Sequence, residues 1–191
     1  GIIARRQGLG TFVRDITPVR EERIHYSRIP WFHREMEERG LRPSAEILLL
    51  DLAPGGGDRE VREELRVDEN DDVFVLKRVR LADDTPLAIQ TAYFSAKLVP
   101  NLADRKIGRA DSITEILKQE YGLSIAAAQQ RITADSATEE DTRFLHVTEG
   151  SPLLLIERTS YLEDGRPLEF LRDRRHPSWT FTVWLRRDDE P

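Results

Sequence analysis

The strongest constraint on the fold is a self-similarity at a spacing of 80 residues. Displaced by that amount, Leu65 falls on Leu145, Val67 on Val147, Glu69 on Glu149, Val75 on Leu155, Leu76 on Ile156 and Arg78 on Arg158. Asp58 falls on Thr138, and both stand where a helix N-cap is expected. Each half reads as helix, Gly-Leu (Gly40-Leu41 and Gly122-Leu123), strand, short helix, strand, hairpin and strand. A duplicated α+β unit would relate the halves by a pseudo-twofold axis, with one antiparallel sheet between or beneath the helices. The competing reading is a common local pattern, a leucine and a valine ahead of an apolar strand, met twice.

The elements follow from local signals. Residues 31–39 are expected to be helical, with Phe32 and Met36 one turn apart and Gly40 as the stop. Residues 45–53 read as a strand, 55–57 as a glycine loop and 58–65 as a short helix capped by Asp58. Ser112 followed three residues on by Glu115 forms a capping-box pattern for a helix to Tyr121. Residues 124–134 read as a strand, and Thr138 caps a helix to Leu145. Residues 152–162, 167–174 and 180–186 read as three further strands.

Residues 73–94 read as a β-hairpin that carries charge on an apolar face. Strand side chains alternate, so Phe74 and Leu76 share a side with Arg78 and Arg80. Val73, Val75, Val79 and Leu81 take the other side, with Lys77 as its one charged member. Asp83, Asp84 and Thr85 make the turn, and Gln90 returns in phase with Ala88, Ala92 and Phe94. A guanidinium within such a strand needs a partner. The residues alone leave two readings open: a pocket for a small anion, or pairing of Arg78 and Arg80 with acids at a sheet edge.

The 191 residues suffice for one good-sized domain with an appendage, or two small domains. No cysteine is present, which excludes disulfides and thiolate metal sites and suits a reducing cytoplasm. No apolar run approaches the ~20 residues of a membrane span. The net charge of −6 argues against nucleic-acid binding by the body of the chain, so such binding must come from a local patch. Four histidines, His25, His33, His146 and His176, show no spacing with serine or acid that supports nucleophilic or metal catalysis. No cofactor is expected. The sequence begins in the middle of a pattern and its single methionine is Met36, so a longer parent protein is expected.

Residues 1–13 read as a small hairpin with Arg5 and Arg6 beside a tip of Gln7, Gly8, Leu9 and Gly10. Residues 14–28 are charged and aperiodic and read as a linker. With the strings RRQGLGTFV, FHREMEERG, the Leu65 to Pro86 stretch, SITEIL and RTSYLEDGRPLE, the chain resembles the HutC-type branch of the GntR transcription regulators. The resemblance implies that residues 1–13 are the wing remnant of a winged helix-turn-helix domain. It also implies that 29–187 form an effector-binding and dimerising UTRA domain, with a fold similar to chorismate lyase. Arg5, Arg6, Gln7, Gly8 and Gly10 would then meet operator DNA. Phe32, His33, Arg78, Arg80, Gln90, Ser112, Glu169 and Arg175 match the positions that hold ligand in sugar-phosphate sensors of the family.

Three of these depart from the family pattern: Gln90 replaces an acid, His33 a serine or threonine, and Arg175 a tyrosine. The expected partner is a small anion, a phosphorylated sugar or a carboxylated metabolite, in a homodimer whose binding to operator DNA it modulates. The rival class is an enzyme of the chorismate-lyase fold acting on a small anionic substrate.

Overall fold

The computed structural model describes residues 3–6, 10–13 and 32–180. Gln7, Gly8, the linker at 14–28 and the expected strand beyond Thr180 lie outside them. The first elements are β1 (Ile3–Arg6) and β2 (Gly10–Val13), an antiparallel pair that forms its own two-stranded sheet. Then follow α1 (Phe32–Glu38), β3 (Pro43–Ala53), α2 (Arg59–Leu65), β4 (Val73–Ala82) and β5 (Thr85–Ser95). The second half supplies α3 (Ile113–Tyr121), β6 (Ala127–Ser136), α4 (Glu139–Leu145), β7 (Pro152–Tyr161) and β8 (Pro167–Arg175). The main sheet is antiparallel and six-stranded, in the order β3-β4-β5-β8-β7-β6, so the domain is α+β.

That order is the expected duplication in strand form, with β3-β4-β5 and β8-β7-β6 as mirrored halves joined at β5 and β8. Ala88 pairs with Arg175 and Phe94 with Glu169, on either side of the Thr91 and Arg172 pair, and the pseudo-twofold axis falls there. The helix ends repeat as well. Gly40 and Gly122 hold φ of 72° and 66°, a left-handed stop that glycine adopts without a Cβ clash. Arg66 and His146 end α2 and α4 in the same left-handed conformation. Asp58 accepts from the Val61 amide at 2.9 Å, and Thr138 with Asp141 forms a complete capping box.

The capping box expected at Ser112 is not formed, because the Ser112 side chain makes no cap hydrogen bond. Expected boundaries shift by a few residues elsewhere. The helix after residue 31 starts at Phe32, the strand expected from 45 starts at Pro43, and that expected from 124 runs over Ala127–Ser136.

Helices cover both faces of the sheet. On one, Ile113 and Leu117 of α3 pack with Phe74, Leu76, Ala92, Phe94 and Leu171, while Phe32 and Met36 of α1 pack with Ala82, Leu87 and Trp179. On the other, Val61 and Leu65 of α2 meet Phe170 of β8, and Leu145 of α4 meets Ile89 of β5. Each half's short helix therefore lies across the other half's inner strand, β8 or β5, which locks the halves together. Among the described residues, no helix is long and apolar enough to cross a membrane.

Candidate functional site

The face under α1 and α3 carries the charge seen in the hairpin. Arg78 pairs in register with Gln90, Gln90 with Asp173, and Arg80 with Ala88, so the side chains of β4, β5 and β8 converge near the centre of the sheet. Arg78 and Arg80 are each only 2% exposed. Each occupies a place where a buried apolar side chain would contribute about 2 kcal/mol. The cost is incompletely offset within the protein. Arg78 donates through Nη2 to Gln90 Oε1 at 2.6 Å, and Arg80 through Nη2 to His33 Nδ1 at 2.8 Å. The Nε and Nη1 atoms of both have no hydrogen-bond partner among the described residues.

The two arginines line a cavity of about 40 Å³ together with Phe32 and His33 of α1, Gln90 of the hairpin, Ser112, Ile113 and Thr114 at the start of α3, Arg158 and Glu169. Seven of the eight expected ligand positions are thus brought together. Arg175 is the eighth, and it lies outside the lining. Its Nε donates to Asp173 Oδ2 at 3.0 Å and its guanidinium covers the Trp179 ring at 4.1 Å. Asp173 and Arg175 stand two residues apart on one strand face, so the acid captures the arginine before it reaches the cavity. Glu169 does not pair with Arg172 or Arg174, whose side chains serve the other face; it accepts from Ser160 Oγ at 3.1 Å.

Three lining residues were absent from the sequence-based set: Ile113, Thr114 and Arg158. For Arg158 the signal existed, since the repeat superimposes it on Arg78. Ser112, released from capping duty, lines the cavity together with the first residues of α3. The first turn of that helix supplies unpaired backbone amides and the positive dipole end.

The electrostatics favour an anion. Burial pushes the Arg78 guanidinium down to about 10, with Glu169 and Asp173 opposing, and burial followed by the neighbouring Arg78 pushes Arg80 down strongly. A guanidinium stays protonated at neutral pH, so both remain cations short of solvation. Among the cavity-lining charges, Arg78, Arg80 and Arg158 outnumber Glu169. His33 is held below its ordinary pKa by burial first and then by Arg80, with Arg78 adding to the effect and Glu37 opposing it. Arg80 can only donate, so Nδ1 of His33 is the bare nitrogen. Nε2 then carries the proton it gives to Ala110 O at 3.1 Å.

Among the described residues no cluster of histidine and carboxylate is arranged to hold a metal. The four unpartnered guanidinium atoms instead suit a planar or tetrahedral oxyanion, which guanidinium groups bind in forked geometry.

Residues 38–178 match the UTRA domain. The transcriptional regulator Rv0792c of Mycobacterium tuberculosis is 33% identical over 190 residues, covering 98% of this chain and 67% of its own. The transcriptional repressor NagR of Bacillus subtilis is 28% identical over 188 residues, covering 98% and 74%. Among solved structures, PhnF from Mycobacterium smegmatis superimposes with a TM-score of 0.76 at 21% identity, covering 97% of this chain and 79% of that one. A GntR-family regulator from Enterococcus faecalis superimposes with a TM-score of 0.65 at 26% identity, covering 75% and 100%. The chain belongs to the UTRA-domain family, and with its GntR-type relatives it is a transcriptional regulator rather than an enzyme.

Proposed function

We propose that the cavity between the starts of α1 and α3 is the effector site of this regulator and that the effector is a small anion. The observation that carries the reading is the pair of buried arginines, Arg78 and Arg80, each lining the cavity and each with two donor atoms that have no acceptor among the described residues. A protein that only needed stability would have satisfied or replaced them. The cavity holds about three waters, the space of a phosphate or carboxylate group rather than a whole metabolite. The rest of the effector would extend into the wider groove between α1 and α3, which shares His33, Ser112 and Thr114 with the cavity.

Two hydroxyls, a glutamine and Glu169 give polar partners for a hydroxylated body. This suits a phosphorylated sugar or a carboxylated sugar-like metabolite, and fits MngR of Escherichia coli, a relative named for mannosylglycerate metabolism. In this reading residues 1–13 are the wing of a DNA-binding domain, 14–28 a linker and 29–187 the sensing and dimerising unit. The antiparallel pair of β1 and β2 supports the first of these. Effector binding would favour one arrangement of the paired sensors and so alter operator affinity, and DNA must change effector affinity by the same factor.

Calorimetric titration with a panel of sugar phosphates, sugar acids and their neutral parent sugars tests the assignment. The anions are expected to bind and the neutral sugars to fail. Arg78→Ala is expected to weaken anion binding by ten- to a hundredfold, about 1.5–3 kcal/mol for lost charge-assisted hydrogen bonds. Binding of the neutral sugars alone, or an unaltered affinity in the variant, would overturn it.

A further inference from the structure

Resting on that reading, we propose that His33 makes anion binding proton-linked: an anion that takes over the Arg80 donors leaves His33 Nδ1 to pick up a proton and become a further donor to the same anion. His33 is placed for this, since it lines both the inner cavity and the outer groove. Its Nδ1 accepts from Arg80 at 2.8 Å and its Nε2 donates to the Ala110 carbonyl at 3.1 Å. The second bond fixes the ring plane without involving Nδ1. An oxyanion seated on Arg80 competes for the one hydrogen bond that keeps Nδ1 unprotonated, whereas the Ala110 bond survives protonation, because both ring nitrogens donate in the cation.

The charges around the ring give the direction. From the inner side Arg78, Arg80 and Arg158 line the cavity against Glu169 alone, an excess of two positive charges that disfavours a further cation. A dianion cancels that excess. Across the groove the acids Glu37, Asp111 and Glu115 are matched in number by Arg34, Arg105 and Lys118, and Glu37 among them favours protonation of His33 by less than Arg80 or Arg78 opposes it. The switch in His33 therefore depends on what occupies the inner cavity. Burial and Arg80 hold it neutral when the cavity is empty, and the sign follows: binding takes up a proton, so affinity rises as pH falls. The serine or threonine expected at this position from the family resemblance would bind an anion with no such dependence.

The test uses inorganic sulfate and methyl sulfate as probes, because neither titrates across roughly pH 5.5 to 8, where histidine does. Calorimetry of the whole chain in buffers of different ionisation enthalpy is expected to show uptake approaching one proton per sulfate. Affinity should improve by up to about tenfold per pH unit on the acid side of the window. His33→Gln is expected to abolish the uptake and flatten the profile. Independently of any variant, the His33 ring resonances followed by NMR should titrate at higher pH with sulfate than without.

Sulfate binding with no buffer-dependent heat, or an uptake unchanged in His33→Gln, overturns the proton linkage and leaves the anion site standing. Failure of sulfate, methyl sulfate and the anion panel to bind at any pH overturns the site itself, and the linkage with it.

Discussion

The two faces of the central ribbon treat arginine in opposite ways. On β8, Arg172 and Arg174 point towards α2 and α4 and are each paired with two carboxylates. Arg172 bonds Asp58 and Glu60 while lying against Tyr93 and Phe170, and Arg174 bonds Asp135, Asp141 and the Ser136 carbonyl. Two strands away in the same sheet, the other face of β4 holds Arg78 and Arg80 with donors to spare. Burial lowers Arg172, but the hydrogen bonds it donates to Asp58 and Glu60 outweigh that and raise it, and the bond to Asp141 raises Arg174. On the cavity face burial prevails. An arginine whose needs are met by the fold is part of the fold, and one whose needs are left unmet inside it is, in the proposed reading, the place for a ligand.

The largest effect that would sharpen this contrast is on stability. Arg174→Ala strips the partner from Asp141, a carboxylate 1% exposed that also closes the capping box of α4. Breaking such a pair leaves a buried charge alone, and the expected loss is about 3 kcal/mol in urea unfolding. A loss below about 1 kcal/mol would place this pair with ordinary surface ion pairs and erase the difference between the faces.

The same pair predicts the acid limb of stability. Burial pushes the Asp141 carboxyl up, and the bonds from Arg174 and Thr138 more than reverse it, so its folded pKa lies below the unfolded value. The stabilisation is then full above the unfolded pKa of about 3.9 and disappears as pH falls through the folded value. The stability gap between wild type and Arg174→Ala should be constant near neutrality and close in acid. A gap that persists at pH 2 would mean that the variant fails through packing rather than charge.

These features were unequally visible in the sequence. The duplication, the caps at Asp58 and Thr138 and the buried setting of Arg78 and Arg80 are local or periodic, and neighbouring residues determine them. Ser112 and Glu115 had the right spacing for a capping box, yet the box did not form, since spacing does not say which way a hydroxyl turns. Arg175 left the cavity for Asp173, a pairing that strand alternation alone permits but does not require. Arg158 was missed although the repeat had placed it on Arg78, because which strands meet at the sheet centre is a non-local fact, settled by the pairing of β5 with β8.

The smallest expected effect is the most direct way to turn one face into the other. Gln90→Glu would set a carboxylate where Gln90 Oε1 now accepts from Arg78 at 2.6 Å, giving that arginine the internal partner its counterparts on the opposite face possess. Two terms oppose each other in the folded protein. The new pair gains attraction, but Asp173 stands directly beside position 90 on the neighbouring strand, and like charges opposite each other repel. Stability should therefore change by no more than about 1 kcal/mol in either direction. Binding has no such compensation. The cavity loses one unit of its positive excess and Arg78 loses its readiness to accept an outside anion, so sulfate affinity at pH 8 should fall about tenfold, near 1.4 kcal/mol. Asp173 also disfavours ionisation of the introduced carboxyl, so part of the lost affinity should return as pH falls and that group protonates, a recovery best measured with His33→Gln in the background to remove the histidine's own contribution. An affinity equal to wild type at pH 8 would mean that the charge of Arg78 is not what recruits the anion, and the distinction between satisfied and waiting arginines would lose its functional meaning.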